Sequence, residues 1–387
     1  MIKIAVITTS RSDYGILSPL LRKIDTSDLL NLELIVSGSH LSENLGYTLE
    51  EIKKDGFNNY HLVDIDIDMN NEKFKEADII GVGLNKFSQL FKATEPNIVV
   101  VLGDRYELFS AVLSAFFLKI TLAHIHGGEK TVGALDDSIR HAITKLSHIH
   151  FPATEIYKKR IIQLGENANN VFNVGSLSVE NIKNSKFLDR NEIFKRLGLD
   201  SKRKLLLVTY HPTTLGKHNA NQEIELLLHS LKQFKFANIL FTGSNADTGG
   251  IEINKKIQEY TKKRNNWFFN ISLGQKLFLN ILKYCDVFIG NSSSGIIEAP
   301  SFKIPVVNIG NRQEGRVFAE NIISVPLKKS LIVETIQNIL NNGLELPKKF
   351  KNPYDGTITS DKIVEILSLS ETATIKTKNF VDLGFKI

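Results

Sequence analysis

Residues His124-Ile125-His126-Gly127-Gly128-Glu129 stand at the end of an apolar run and put two imidazoles and a carboxylate within six positions. Two histidines at i and i+2 fall on one side of a strand, so a metal pair completed by Glu129 is one reading. No further cluster of ligands follows, so no metal is expected. An imidazole that titrates near neutrality suits an acid/base centre better. Gly127-Gly128 is a turn whose backbone can approach a ligand closely. Carboxylates and cations recur at similar places. Asp104 and Arg105 stand where another apolar run passes into a helical pattern, and Asp136, Arg140 and His141 open a third. Alone, Asp104 and Asp136 read as helix caps favoured by the helix dipole. With His126 and Glu129 they read as an acid/base set on neighbouring strand ends.

Anion chemistry is the second theme. Arg11, in Thr9-Ser10-Arg11-Ser12-Asp13, begins a helix and carries a fork suited to phosphate; Asp13 is either a cap or its partner. His211-Pro212 follows a later apolar run, where proline stops the strand and the histidine is more readily functional than core. Ser244, Asn245 and Asp247 suit a polar loop or ligand hydrogen bonds equally. Asn291-Ser292-Ser293-Ser294-Gly295 offers hydroxyls and free backbone N–H groups at a helix start, which is an anion site. Glu298, further inside, would repel phosphate but suits the hydroxyls of a ribose. Arg312 and Arg316 can close the phosphate site from the other side.

The elements that must position these residues are legible in the periodicity. Short Val/Ile/Leu-rich runs with little alternation read as parallel strands buried on both faces. They predict strands over 2–8, 32–37, 98–103, 120–125 and 148–152, then over 204–209, 238–242, 267–271, 287–290 and 306–309. Amphipathic stretches lie between them, so the chain is α/β, with two Rossmann-like doubly wound domains. The predicted boundaries are 1–174 for a first domain that carries the acid/base set, 175–357 for a second that carries the serine-rich anion site, and 358–387 for a helix and tail able to pack back on the first. Ligands of such sheets sit at the carboxyl ends of strands.

The 387 residues carry one cysteine, 42% hydrophobic residues and a net charge of +6. Cys285 alone excludes an intramolecular disulfide and a cysteine-based zinc site, and points to a cytoplasmic setting. The start is a poor signal peptide, and no run approaches the roughly 18 apolar residues of a membrane span. The lysines are scattered as solvated faces, so neither nucleic acid nor membrane is an expected partner. The dinucleotide fingerprint is missing after the first strand, which counts against nicotinamide and flavin chemistry.

Read in order, "TSRSDYG", "GSH", "LGDRYE", "HIHGGE", "DDSIRHAITK", "YHP", "SNADTG", "GNSSSGIIE" and "NIGNRQEGR" resemble the UDP-hydrolysing UDP-N-acetylglucosamine 2-epimerases, which make N-acetylmannosamine for sialic acid synthesis. The resemblance implies a glycosyltransferase-B type fold with the ligand in the interdomain cleft, a UDP-sugar substrate, no cofactor and a homodimer or homotetramer. It implies that Asp104, Asp136 and His211 are catalytic; His126 departs from the family motif and is expected to share in proton transfer from its own chemistry. It implies substrate contacts for Arg11, His40, Arg105, Arg140, Ser292, Ser293, Glu298 and Arg312, to which the strand-end reading adds Glu129, Asn245 and Gly295. Many relatives carry glutamate in the third place of "HIEGGE", where this chain, like a closer subgroup, has His126. The implied chemistry is elimination of UDP to a 2-acetamidoglucal, then water addition. Similar enzymes of legionaminic acid synthesis act on UDP-N,N'-diacetylbacillosamine, and a non-hydrolysing epimerase is a further alternative.

Overall fold

The computed structural model describes residues 1–43, 47–65, 67, 75–132, 135–212, 220–244, 249–369 and 377–384. The chain divides into two compact units. Unit 1 comprises Met1–Glu129, Asp136–Asn181 and Tyr354–Ile387; unit 2 comprises Lys130–Leu135 and Ile182–Pro353.

Unit 1 is built on strands β1 (Ile2–Thr8), β2 (Leu30–Ser37), β3 (Tyr60–Val63), β4 (Ile98–Leu102), β5 (Thr121–Ile125) and β6 (Ile149–Phe151). They form one sheet in the order β3-β2-β1-β4-β5-β6, with every pair parallel. Helices α1 (Arg11–Asp25), α2 (Leu49–Lys54), α3 (Lys75–Thr94), α4 (Tyr106–Phe117), α5 (Leu135–Leu146) and α6 (Glu155–Gln163) alternate with the strands. Side chains of β1 alternate between two cores. Ile4 and Val6 enter one beside Leu17, Leu21 and Ile363, while Ala5 and Ile7 enter the other beside Phe87, Phe91 and Ala111. That two-faced burial is why the strand reads as a continuous apolar run.

Unit 2 repeats the plan. After α7 (Leu177–Asn184) and α8 (Arg190–Arg196) come β7 (Lys204–Thr209), α9 (Ala220–Leu231), β8 (Ala237–Thr242), α10 (Gly250–Thr261), β9 (Trp267–Asn270), α11 (Gly274–Tyr284), β10 (Val287–Gly290), α12 (Ser293–Ile297), β11 (Val306–Ile309), β12 (Ile322–Val325) and α13 (Lys329–Asn342). The sheet order is β12-β11-β10-β7-β8-β9. Leu206 and Val208 of β7 enter one core, Leu205 and Leu207 the other. Helix α14 (Thr359–Leu367) follows the return to unit 1 and packs Ile363 and Leu367 into its core.

Each sheet thus has the strand order of a dinucleotide-binding fold, with its reversal between β1 and β4 in unit 1 and between β7 and β10 in unit 2. The described residues contain two strands beyond the ten predicted, β3 and β12. Both lie at sheet edges, are four residues long and leave most of their side chains partly exposed. With most of their side chains partly exposed, they lack the apolar run that marks a strand buried on both faces.

Candidate active site

In unit 1, β5 ends at Ile125, paired in register with Leu102 of β4. His126 therefore lies alongside Gly103. It takes a left-handed backbone, φ +63°, a conformation that costs a non-glycine residue energy and is found preferentially at functional positions. Its N–H donates to Phe151 O at 3.1 Å. The turn that follows needs glycine. Gly128 has φ +77°, and a Cβ there would stand 2.5 Å from Tyr157 O.

The left-handed residue ends the strand alternation, so the two histidines do not share a face as predicted. His124 is fully buried and bridges Gly103 O, 2.7 Å from Nε2, and the Thr144 hydroxyl, 3.1 Å from Nδ1. A carbonyl only accepts, so Nε2 carries the hydrogen and Nδ1 accepts from Thr144. Burial pulls the imidazole down to about 3, so it is neutral and structural. His126 differs in partners. Its Nδ1 is 2.8 Å from the Glu129 carboxylate and its Nε2 is 3.2 Å from the Ser176 hydroxyl. The carboxylate takes the Nδ1 hydrogen, which leaves Nε2 as the basic nitrogen. Among the described residues no group of three or more His, Cys, Asp and Glu side chains could hold a metal ion.

Asp104 is not a cap. The first turn of α4 is entered through Arg105, and no side chain caps it. The Asp104 carboxylate instead receives Arg140 NH2 from α5, while Arg140 NH1 lies 3.5 Å from Asp137. Arg140 is 3% exposed in its side chain and Asp104 24%, so the arginine is buried behind a partly open carboxylate. Asp136 lies in the first turn of α5, which runs from Leu135. Arg105 is bound to the buried Glu107 through Nε and NH2, at 3.2 and 2.6 Å.

At the end of β1, Asp13 settles as a cap. Its carboxylate accepts from the Thr9 and Ser10 amides at 2.8 and 2.7 Å. With Ser10 it forms a reciprocal capping box, which satisfies orphan amides of α1. Arg11 reaches Glu51 at 3.3 Å. His40 is fully buried between the hydroxyls of Thr8, 2.9 Å away, and Thr48, 2.6 Å away. Burial lowers its pKa.

In unit 2 the reversal point is tied by Asn291. Its side chain accepts from the His211 amide at 2.7 Å and donates to His211 O at 2.8 Å. The strand ends are close because Gly290, at φ +139°, has no side chain: a Cβ would fall 1.8 Å from Thr209 O. His211 Nδ1 is 3.3 Å from the Ser244 hydroxyl. Arg312 and Gln313 both donate to Asn291 O, at 3.2 and 2.7 Å. Ser292 caps α12, accepting from the Ser294 amide, and Ser293 is the first helical residue. Gly295 serves packing, since a Cβ there would press on the Phe288 ring at 2.9 Å. Glu298 ends α12 half-buried. Helix α12 is only five residues long, so its free amides offer more to an anion than its dipole does. Asn245 lies outside the described residues.

The structure joins His126 to Glu129, Asp104 to Arg140, and His211 through Asn291 to Arg312. Two participants were not singled out from the sequence. Ser176 contacts His126 across fifty positions, in a loop without a motif. Gln313 is fully buried, and only its place between Arg312 and Arg316 hinted at it.

A family model described as UDP-N-acetylglucosamine 2-epimerase matches residues 22–368. A Campylobacter jejuni protein named GDP/UDP-N,N'-diacetylbacillosamine 2-epimerase (hydrolyzing) is 42% identical over 324 residues, 83% of each chain. An Escherichia coli protein named polysialic acid biosynthesis protein P7 is 40% identical over 357 residues, 92% of this chain and 90% of that one. The solved structure of UDP-GlcNAc 2-epimerase from Neisseria meningitidis bound to UDP-GlcNAc superposes with a TM-score of 0.79 at 18% identity, covering 95% of this chain and 99% of that one. This last likeness is one of fold, the two Rossmann-like domains of glycosyltransferase-B type read from the sequence.

Proposed function

We propose that this chain, which belongs to the UDP-N-acetylglucosamine 2-epimerase family, is a hydrolysing 2-epimerase that converts a UDP-2-acetamido sugar to UDP and the free 2-epimeric sugar. The substrate we assign is UDP-N,N'-diacetylbacillosamine. The observation that carries this choice is the 42% identity to a relative named for that substrate. UDP-N-acetylglucosamine is the second reading, favoured by the 40% identical relative named for polysialic acid biosynthesis.

The C2 hydrogen of such a sugar has no carbonyl beside it and is barely acidic. Departure of UDP from C1 builds positive character there and acidifies C2. In the first step the C1–O bond to the diphosphate breaks, and the C2 proton passes to a protein base, leaving the 2-acetamidoglucal. In the second, water adds its oxygen to C1 while C2 takes a proton from the opposite face. Asp104, His126 and Asp136 are assigned to proton transfer and water activation. The basic Nε2 of His126, its ring oriented by Glu129, supports a role for this residue where relatives have glutamate. The Arg140 guanidinium pairs with the Asp104 carboxylate and fixes its direction. Arg11, His211, Ser292, Ser293 and Arg312 are assigned to the leaving diphosphate, where charge stabilisation is the largest catalytic contribution. Glu298 is assigned to the ribose; His40, Arg105 and Asn245 are assigned to the substrate.

The test is UDP release from each of the two sugar nucleotides, run in deuterated water. Free manno-configured sugar with deuterium at C2 is expected. A product that keeps its C2 hydrogen rules out the glycal route, and release from neither substrate rules out the assignment. Release of UDP-linked epimer in place of free sugar shows a non-hydrolysing enzyme. An Asp104→Asn variant should lose turnover while still binding UDP in calorimetry.

A further inference from the structure

Helix α5 carries Asp136 and Arg140 near its start and ends at Leu146. The last carbonyls of any helix lack partners within it. Here Ile143 O and Thr144 O accept from the Ser147 amide, and Thr144 O has a second donor from far along the chain. Lys378 Nζ donates to Thr144 O, Ser147 O and the Glu166 carboxylate, so three N–H groups meet three acceptors. The lysine side chain is 16% exposed and that of Glu166 is 4% exposed. The tail is seated beside it by Phe380, whose ring lies where a Cβ on Gly165 would be, 2.3 Å from its nearest atom. Lys145 Nζ sits 4.6 Å over the same ring, and the Val381 amide donates to Gly165 O at 3.0 Å.

We propose that Lys378 is a positioning residue: segment 377–384 is a strap whose ammonium group caps the C-terminus of α5 and holds that helix in register with the strand ends of unit 1. Its effect on turnover rests on the function proposed above. A cation at this helix end opposes the negative pole of the dipole. The groups facing it are Glu166, Lys145, His148 and His150. Glu166 also receives Lys145, at 2.7 Å, and His150 Nε2, at 3.1 Å. Burial pulls Lys378 down to about 8. Burial pushes Glu166 up, but the hydrogen bonds from His150, Lys145 and Lys378 outweigh it and bring the carboxyl to about 2. At neutral pH the strap is thus held by an ion pair; without Lys378, Glu166 keeps Lys145 and His150, while the Thr144 and Ser147 carbonyls lose the ammonium donor.

The held helix touches the strand ends twice. Thr144 bonds His124, which bonds Gly103 O, and Arg140 bonds Asp104. An axial shift of α5 moves both contacts together, and small displacements of reacting groups are costly to rate.

Three measurements test this. In the wild-type protein, amides of 377–384 should be protected in hydrogen exchange. A Lys378→Met variant should lose roughly tenfold in kcat with KM changed less than about twofold, and exchange in 141–147 should accelerate. Butylamine added to Lys378→Ala should restore part of kcat, which a merely bulk-filling lysine would not allow. Tail amides exchanging like an unfolded chain, or Lys378→Met turning over like wild type, would overturn the proposal. If Lys378→Met does not fold, the wild-type exchange decides. If the wild type turns over neither sugar nucleotide, the proposed function fails, and exchange in the wild type and in Lys378→Met still decides on the strap.

Discussion

At His126 the surroundings fix one imbalance between two ring nitrogens. Its left-handed backbone, the glycines after it and two hydrogen bonds fix an imidazole with Nδ1 on a carboxylate and Nε2 on a hydroxyl. A carboxylate behind an imidazole sets the tautomer and stabilises the imidazolium once a proton arrives. Removing the basic nitrogen in His126→Asn should therefore reduce kcat about 100-fold with little change in the circular dichroism spectrum; wild-type turnover would return His126 to a structural part. Arg140→Lys offers a second check at this scale. A lysine keeps the charge but not the fork, so the Asp104 contact should persist in weakened form and kcat should fall while UDP affinity, measured by calorimetry, holds.

At the scale of elements, the decisive positions are strand ends. The β7 and β10 ends approach closely because Gly290 has no Cβ, and Asn291 then ties the two backbones together. Gly290→Ala introduces a clash with backbone that no rotamer relieves, so unit 2 should lose roughly 2–3 kcal/mol or more, read as a lower urea midpoint. Asn291→Ala removes both clamp bonds and leaves the His211 amide without that partner, with an expected cost of about 1–3 kcal/mol. The sequence signals were strongest for interior strands and weakest for β3 and β12 at the edges. Caps were ambiguous for the same kind of reason: an aspartate near a helix start can serve its own amides, as Asp13 does, or a distant arginine, as Asp104 does. Residue type and spacing are alike in the two cases.

At the scale of the whole molecule, buried histidines make stability depend on pH. Burial takes His124 to about 3 and His148 to about 4, and lowers His150 as well. A histidine whose folded pKa is depressed binds its proton more readily when unfolded. Its stabilising contribution is whole above about 6.5, the unfolded value, and is lost as pH falls toward the folded one. Glu166, taken from 4.5 to about 2, adds a loss in the same direction at lower pH. The melting temperature should therefore fall progressively from pH 6.5 to pH 4. A His148→Gln variant, which can still accept from the Leu122 amide, should show a shallower decline; an unchanged slope would contradict the assignment of His148 as a buried neutral group.

Two doubly wound sheets, their interior strands and the polar turns at the strand ends were all decided by the sequence alone. The reason is physical: burial on both faces imposes local apolar runs, and a strand must end where a polar turn begins. The family was legible for a related reason, since strand-end motifs keep their order along the chain. What only the tertiary structure decided is partnership. Ser176 meets His126, Arg140 meets Asp104, and Lys378 meets Glu166. These pairs lie between 36 and 212 positions apart, and no periodicity reaches that far. A hydrogen bond depends on where the chain returns in space, so the same aspartate, histidine or lysine is a cap, a base or a strap only once the fold has brought its partner to it.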